Sequence, residues 1–522
     1  MLIEACIFLV TALLTYVYYN YKCTRSYFDE RGIKYVPGIP VFGNTYNSTF
    51  KKKHMSEDID AVYRAFPDER YVGYIEGTKP IFIIRDPEII KAITVKDFDY
   101  FVDHKDFIPA EIEPLLGDSV FSMKGDRWRA MRTMLSPAFT SSKMRRMMPF
   151  MNEISANIVE YVKDHINEDM NVDELIRRYT NDVIASTGFG LTVNSLKDKD
   201  NEFYKTGQAL FNFTCFRRIV FIVTMLIPAL AKKLGLAIFP PHCTGFFMNI
   251  VSSTMEYREK NNVERPDMIQ LLMEASKGKL KMEKDGNDDL NLVTGSEYNP
   301  RAPSISWSQT ELAGQVFIFF AAGFESSASS LVMLIHELAL NNDIQGKLYQ
   351  EIREFEEKNG TLVYDRINDL KYLDCVLNEA FRKWSVAVIM DRVCTKPYEL
   401  PPPREGGKPC MLKVNDIVYN SVNSIHMDPK HFPNPHVFDP ERFSEENRHN
   451  IKPFTFMPFG MGPRSCIAIR FAVMELKVLL YHLVSNFKIV KCDKTTDPPE
   501  LAPEDVKIMA TGGSWAKFEL RN

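Results

Sequence analysis

One cysteine near the carboxyl end stands in a setting suited to metal chemistry. Cys466 closes the stretch FGMGPRSC, which begins at Phe459 and places two glycines, a proline and Arg464 before the thiol. A thiolate is a strong ligand for transition metals, and a glycine-containing turn lets the backbone pass close to a flat ligand. The helix-like run that follows would stabilise negative charge on the sulfur. The stretch predicts a metal-binding thiolate, with a buried structural cysteine as the alternative.

The other cysteines narrow the kind of metal site. The chain has nine cysteines, scattered and without a C-x-x-C pair, so clustered zinc or iron–sulfur ligation does not fit. A solitary thiolate suits the axial position of a haem, whose other iron ligands come from the porphyrin. A dinucleotide-binding loop is rejected, because the G-x-G lacks a third glycine and follows no convincing strand.

A second group of polar residues lies in a long apolar segment. Ser308 and Glu311 form an S-x-x-E capping box, which predicts that a helix begins there. Its apolar centre is interrupted by Ala322, Gly323, Glu325 and Ser326. Glycine leaves space for a ligand, and an adjacent carboxylate and hydroxyl can relay protons. We predict catalytic roles for Glu325 and Ser326, with an exposed glutamate beside a small packing residue as the alternative.

An ion-pair network is predicted from two separate motifs. Glu379 and Arg382 lie three apart on a predicted helix and therefore share a face. Arg442 lies in the proline-fixed loop FDPERF. A buried three-membered network forms only if all three side chains come together.

Aromatic and cationic residues supply a candidate anion site. Trp128 and Arg132 lie four apart in DRWRAMR, and Arg392 lies in MDRVC. Arg132, Arg392 and Arg464 could jointly bind the two propionates of a haem, since guanidinium groups pair well with carboxylates. Each arginine alone is typical of surface charge, so the prediction depends on the set.

Together these motifs resemble the cytochrome P-450 family of haem-thiolate monooxygenases, from the N-terminus to the C-terminus. The matching motifs are W-x-x-x-R (Trp128, Arg132), A-G-x-E (Ala322, Gly323, Glu325), E-x-x-R (Glu379, Arg382) and F-x-x-G-x-R-x-C (Phe459, Gly462, Arg464, Cys466). The segments YVGYIEGTKPIFIIRDP and KDFDYF are most similar to insect microsomal members that metabolise xenobiotics.

The resemblance implies a mainly α fold with a small β subdomain and an N-terminal transmembrane anchor. It implies haem b ligated by Cys466, and a long helix crossing above the haem. Structural roles are implied for Glu379, Arg382 and Arg442. The implied cofactor-binding residues are Trp128, Arg132, Ala322, Gly323, Arg392, Phe459, Arg464 and Ala468.

The resemblance also implies the reaction and its partners. Members of this type take electrons from an NADPH-dependent flavoprotein reductase on the same membrane, and a microsomal b-type cytochrome is a further candidate partner. They split O₂ and insert one oxygen atom into an apolar small molecule. Xenobiotic metabolism is the expected role, and oxidation of endogenous lipids or hormones is the alternative. A haem-thiolate isomerase and a non-catalytic haem or lipophile carrier are rival hypotheses.

Two residues depart from the family pattern. Ala468 stands two residues after the cysteine, where the family usually has glycine, and Ser326 follows the acid, where it usually has threonine. Alanine remains compatible with a helix, so we expect haem to be retained. Serine keeps the hydroxyl but loses the rotamer restraint of the methyl group. We therefore expect proton delivery to be less efficient, with more peroxide released.

The elements that position these residues follow from the remaining sequence. Residues 1–21 are predicted as a membrane anchor, residues 22–44 as a basic and proline-rich linker, and residues 45–522 as the monooxygenase domain. Small β parts are expected near residues 68–100, 385–425 and 485–520. Lys22 and Arg25 follow the apolar run and favour a body facing the cytosol, on the endoplasmic reticulum membrane. A cleaved signal peptide is the alternative for the N-terminus.

Two further segments are predicted outside the motifs. Residues 218–241 form a broken apolar patch, either a core helix or an amphipathic element that dips into the bilayer. Residues 276–306 are polar and predicted as a long loop. The net charge of −4 gives no reason to expect nucleic acid as a partner.

Overall fold

The computed structural model describes residues 2–106, 108–212, 214–226, 228–277, 307–503 and 507–521. The loop predicted over residues 276–306 lies almost entirely outside this part of the chain.

Helices dominate the described residues. The α-helices are α1 (Leu2–Asp29), α2 (Tyr46–Thr49), α3 (Met55–Ala65), α4 (Pro87–Lys91), α5 (Pro114–Gly117), α6 (Gly125–Leu135), α7 (Ser141–Lys163), α8 (Val172–Phe189), α9 (Glu202–Phe211), α10 (Cys215–Leu226), α11 (Pro228–Lys233), α12 (Pro241–Asn261), α13 (Met268–Ser276), α14 (Gln309–Leu340), α15 (Asn342–Asn359), α16 (Lys371–Lys383), α17 (Val422–His426) and α18 (Ile469–Asn486).

Within the described residues, the strands form three small sheets. They are β1 (Tyr71–Glu76), β2 (Lys79–Ile84), β3 (Met170–Asn171), β4 (Met390–Val393), β5 (Tyr398–Leu400), β6 (Cys410–Leu412), β7 (Ile417–Asn420), β8 (Phe487–Val490) and β9 (Trp515–Leu520). One sheet has the order β1-β2-β7-β4, another the order β3-β9-β8, and β5 pairs with β6. Strand β7 runs parallel to β2 and antiparallel to β4, which sets Arg392 opposite Val418.

Helix α14 is the central element of the core. It begins at the predicted capping box, in which Ser308 Oγ accepts from the Glu311 N–H at 3.1 Å and Glu311 Oε2 accepts from the Ser308 N–H at 2.9 Å. Helices α8, α5, α12 and α18 pack around it. Among the described residues, α14 is the helix with the length and apolarity of a membrane span, but 61% of its most apolar window is buried in the protein. The apolar surface of α14 therefore packs in the core of the protein.

Helix α1 continues beyond the predicted anchor. The helix runs to Asp29, so residues 22–29 are helical although a linker was predicted from residue 22. These last turns pack on the first sheet, where Thr24 Oγ1 donates to Thr78 O at 2.8 Å and Phe28 is fully buried against Phe82. Burial of one helix face against the sheet keeps the segment helical. The anchor itself remains a prediction.

Candidate active site

The Cys466 loop is shaped by turns with left-handed glycines. Gly460 and Gly462 have φ angles of 76° and 72°. A Cβ on Gly462 would lie 1.9 Å from Thr94 O, so no other residue fits there without moving the backbone. The Cys466 N–H donates to Phe459 O at 2.8 Å, which closes the loop. The ring of Phe459 packs edge-on against Phe381, with 5.0 Å between centroids.

Cys466 is accessible although protein surrounds its side chain. The residue is accessible, yet burial raises the pKa of its thiol; we infer that the sulfur lines a space largely surrounded by protein. The backbone N–H of Ala468 and the charge of Arg132 act in the opposite direction and lower this pKa. Ala468 is the N-terminal capping position of α18, as the predicted stabilisation by the following helix requires.

The three predicted arginines come together near this thiol. Burial lowers the pKa of both Arg132 and Arg392 to about 10. The pKa of Arg464 is lowered by burial and by the charges of Arg392 and Arg132, which are close enough to repel it. Repulsion among buried guanidinium groups marks a site that an anion would stabilise.

Arg464 and Trp128 form a contact that the sequence did not predict. The guanidinium of Arg464 lies 4.0 Å from the centroid of the Trp128 ring. Arg464 also donates to the carbonyl oxygens of Val102, Val120, Phe121 and Met123. It therefore ties the Cys466 loop to the segment before α6, and only part of its hydrogen-bonding capacity remains for a bound anion.

One face of α14 opens onto an interior space. Ala322 is exposed in the middle of this otherwise buried helix, and Ile318, Phe319 and Ser326, on the same face, are partly exposed. The sequence from Phe317 to Phe324 is apolar throughout, so its composition would let any of these residues line that space. The rings of Phe317, Phe320 and Phe324 are instead buried on the other face. Helical periodicity divides the segment into a cavity face and a core face.

Gly323 does not leave space for a ligand as predicted. A Cβ at this position would lie 2.7 Å from Ile184 Cδ1, on α8. The glycine therefore permits the close approach of α8 and α14, whereas Ala322 carries the exposed surface.

Glu325 and Ser326 point to different surroundings although they are adjacent. The Glu325 carboxylate forms an ion pair with Arg177, and Lys507 Nζ lies 3.4 Å from Glu325 Oε2. Ser326 Oγ donates to Ala322 O at 2.6 Å. Glu325 is thus not in contact with the Ser326 hydroxyl; its Oε1 also accepts from Ser329 Oγ at 3.3 Å, and its Oε2 has no hydrogen-bond partner among the described residues.

The predicted Glu379 network is present. Arg382 donates to both carboxylate oxygens of Glu379 at 2.7 Å, and both side chains are fully buried. Arg442 Nε lies 3.5 Å from Glu379 Oε1. Burial raises the pKa of Glu379, and the arginines oppose that shift. Arg382 also donates to the carbonyls of His426 and Pro435, so the network anchors the chain that leads to the Cys466 loop.

Comparisons with known proteins agree with this site. The family model for cytochrome P450 matches residues 34–514. The chain belongs to the cytochrome P450 family. It is 36% identical to a probable cytochrome P450 9f2 of Drosophila melanogaster, with 99% of each chain covered. It is 37% identical to cytochrome P450 9e2 of Blattella germanica, over 98% of this chain and 97% of the relative. Cytochrome P450 6k1 of the same cockroach is 32% identical, over 98% of this chain and 96% of the relative.

Family membership identifies this P450 as a haem-thiolate monooxygenase, with haem as cofactor. The residues present fit that group. Arg392 Nε is buried without a hydrogen-bond partner, the arginines repel one another, and the thiol faces the interior. A dianionic, flat cofactor would satisfy the orphaned donor and neutralise the charge.

Three polar residues of this P450 were missed from the sequence. Arg177 and Lys507 hold Glu325, and they lie in unrelated parts of the chain. Glu475, on α18, is fully buried and accepts a hydrogen bond from Ser327 Oγ at 2.6 Å. The available signal was a lone acid in the apolar run FAVMELKVLL.

Proposed function

We propose that this P450 is a membrane-bound monooxygenase that oxidises apolar small molecules with electrons from NADPH, delivered by a flavoprotein reductase. The observation that carries the proposal is the interior-facing Cys466 thiol beside Arg132 and the buried Arg392 and Arg464. When haem is bound, it supplies the O₂ chemistry, and the protein supplies binding, orientation and exclusion of water.

The proposed roles of the residues follow from their positions. Cys466 binds the iron as a thiolate, and the Ala468 N–H and Arg132 favour its charged form. Arg132, Arg392 and Arg464 hold the propionates, with Trp128 stacked on Arg464. The cavity face of α14 lies over the reacting centre, with Ala322 small enough to admit a ligand. Ser326 and Glu325 transfer protons, the latter after release from Arg177.

The proposed substrates are apolar xenobiotics. The partly exposed residues of the α14 face, Ile318, Phe319 and Ala322, are apolar, as are the partly exposed Val386, Ala387 and Ile389. Such walls favour lipophilic substrates with few polar groups. The similarity to insect relatives supports a detoxifying role, and endogenous lipids or hormones are the second class to test.

The proposed location is the cytosolic face of the endoplasmic reticulum membrane, with residues 1–21 as a single-pass anchor. Exposed apolar side chains support a second membrane contact. Phe216, Ile219 and Leu234 are 68%, 59% and 61% exposed, so this face of the α10–α11 region is not part of the core. A core role was one of two hypotheses for residues 218–241; this exposure favours the interfacial one.

The iron ligand is tested by Cys466→Ser. We expect the reduced, CO-treated wild type to show the red-shifted Soret band of thiolate ligation and the variant to lack it. Retention of that band in the variant would remove Cys466 from the site.

The reaction class is tested with the wild type, added reductase, NADPH and O₂. We expect NADPH oxidation coupled to an oxygenated product. A carrier would oxidise no NADPH, and an isomerase would turn over its substrate without reductase. A ferric spectral-shift screen of insecticides, plant toxins, fatty acids and steroids then separates the two substrate classes.

A further inference from the structure

A buried histidine lies between the Glu379 network and the Cys466 loop. His426 is the last residue of α17 and is fully buried. Its Nε2 atom accepts a hydrogen bond at 2.9 Å from the backbone N–H of Met457, which is also fully buried. The Met457 carbonyl oxygen accepts from the Gly460 N–H at 3.1 Å, so Met457 begins the turn that leads into the Cys466 loop. The histidine therefore holds the chain at the start of that loop.

The orientation of the His426 ring is fixed by its neighbours. The ring of Phe456 stacks on it, with 5.3 Å between centroids and 30° between the planes. The ring of Phe432 packs in an edge-to-face arrangement, with 6.2 Å between centroids. The backbone oxygen of His426 accepts from Arg382 Nη1 at 3.0 Å, which ties the residue to α16. These contacts keep Nε2 directed at Met457.

The protonation state of His426 suits this contact. An imidazole nitrogen accepts from an N–H only when it carries no proton, so the bond from Met457 requires a neutral ring that is protonated on Nδ1. Burial, followed by the charge of Arg382, lowers the pKa of His426 to about 3, although nearby backbone carbonyls oppose this shift. The ring is therefore neutral at physiological pH, and Nε2 is free to accept.

The middle of the same loop has a separate and weaker attachment. The Met461 N–H lies 3.3 Å from Met390 Sδ, on β4, and a thioether sulfur is a weak acceptor. A Cβ on Gly460 would lie 3.5 Å from the same sulfur. At the start of the loop, loss of the His426 acceptor would leave the Met457 N–H buried without a partner, which is costly. The position of this start therefore depends on His426.

We propose that His426 is a positioning residue for the iron ligand, because its Nε2 atom fixes the start of the Cys466 loop. The proposal rests on the assignment of Cys466 as the iron ligand. An apolar side chain of similar size could fill the space between the rings, but it would not pair with the Met457 N–H. Loss of the acceptor should therefore let the loop move away from the iron without unfolding the protein.

Three variants separate the acceptor from the space that the ring fills. His426→Gln keeps an acceptor oxygen at a reach similar to that of Nε2, His426→Asn has its oxygen closer to the backbone, and His426→Leu has no acceptor. The matched control is His336→Leu. His336 is also fully buried, and its ring nitrogens lie 3.0 Å from Ser514 Oγ and 2.7 Å from Thr496 O. These contacts do not involve the Cys466 loop.

The first measurement follows the red-shifted Soret band of the reduced, CO-treated holoprotein in urea below the unfolding transition. Unfolding is measured separately, so that rates are compared at the same fraction of each variant's unfolding midpoint. We expect His426→Leu and His426→Asn to lose the band about tenfold faster than the wild type, a change equivalent to about 1.4 kcal/mol. His426→Gln should stay within about threefold of the wild type, since its oxygen can pair with the Met457 N–H. His336→Leu should be less stable to unfolding yet keep the band.

The second measurement is hydrogen exchange of the Met457 amide, followed by mass spectrometry of the peptides that contain it. This amide should exchange faster in His426→Leu and His426→Asn than in the wild type, His426→Gln or His336→Leu. The measurement also applies to a variant that retains little haem.

The proposal is overturned if His426→Gln and His426→Leu lose the band at the same rate, or if His336→Leu loses it as fast as His426→Leu. Unchanged exchange of the Met457 amide in His426→Leu would overturn it as well. Absence of the red-shifted band from the wild type would instead remove Cys466 as the iron ligand.

Discussion

The residues around Cys466 influence whether its sulfur is protonated. Burial alone would keep Cys466 protonated, and the loop opposes this with the Ala468 N–H and the neighbouring Arg132. Alanine at position 468 keeps that backbone donor, because the N–H does not depend on the side chain. The departure from the usual glycine is therefore compatible with the thiolate.

Ser326→Ala should raise the yield of hydrogen peroxide per NADPH consumed by about twofold or more, because the hydroxyl at the cavity face is lost. Ser326→Thr is the matched control, since it keeps the hydroxyl and restores the rotamer restraint. Peroxide and NADPH are measured in the same reconstituted reaction. Unchanged coupling in the alanine variant would remove Ser326 from proton delivery.

Glu475→Gln should flatten the pH dependence of stability. Burial raises the pKa of Glu475 from its usual 4.5 to about 8, so the folded protein holds a proton that the unfolded chain releases. Its contribution to stability is full below pH 4.5 and is lost as the pH rises towards 8. The unfolding free energy of the wild type relative to the variant should fall by up to about 1.4 kcal/mol per pH unit in this window.

Denaturant unfolding at several pH values between 5 and 8 measures this difference. Gln can still accept the hydrogen bond from Ser327, so the comparison isolates the charge. Glu399→Gln, at an exposed position, should show no such trend. Parallel pH profiles of stability for the wild type and the Glu475 variant would contradict a raised pKa of Glu475.

At the scale of elements, the closeness of α8 and α14 decides where the cavity lies. Gly323 lets Ile184 approach α14 from the core side, while Arg177 on the same helix α8 holds Glu325. The face with Ala322 is left open. Helix α14 therefore has a packed face and a cavity face, and its contact with α8 determines which face is packed.

Gly323→Ala should lower the free energy of unfolding by less than a clash with rigid backbone would. The atom that the new methyl group meets is Ile184 Cδ1, the end of a flexible side chain. In the Ile184→Val background, which lacks that Cδ1 atom, the same change should be neutral or stabilising, since alanine favours helix. A double-mutant cycle of unfolding free energies should give a coupling of about 0.5–2 kcal/mol. Additive effects would show that the two helices do not meet at this point.

At the scale of the whole molecule, the two proposed membrane contacts, residues 1–21 and the α10–α11 region, can be tested separately. Removing residues 2–21 should leave part of the protein on microsomal membranes, through Phe216 and Leu234. Adding Phe216→Ser and Leu234→Ser to that deletion should release most of it, because each buried side chain contributes about 1.5–3 kcal/mol.

Membrane flotation measures the bound fraction. The matched control carries Met411→Ser and Leu520→Ser, two exposed apolar positions elsewhere, and should float like the parent deletion. Complete release by the deletion alone would leave the second contact without support.

The amino-acid sequence by itself determined the local chemistry of this P450. The Cys466 loop, the S-x-x-E cap of α14 and the E-x-x-R pair depend on residues within a few positions, so their spacing predicts their geometry. The convergence of Arg132, Arg392 and Arg464 was also predicted, but only as a set of cations that could bind the two carboxylates of a haem, since spacing along a single chain does not reveal which distant charges meet.

Only the tertiary structure decided which face of α14 is open and what holds Glu325. Both depend on contacts between segments far apart in the chain, namely Gly323 with Ile184 and Glu325 with Arg177 and Lys507. The segment from Phe317 to Phe324 is apolar on all sides, so its composition does not distinguish a core face from a cavity face. Packing of the neighbouring helices makes that distinction, because it fills one side and leaves the other free.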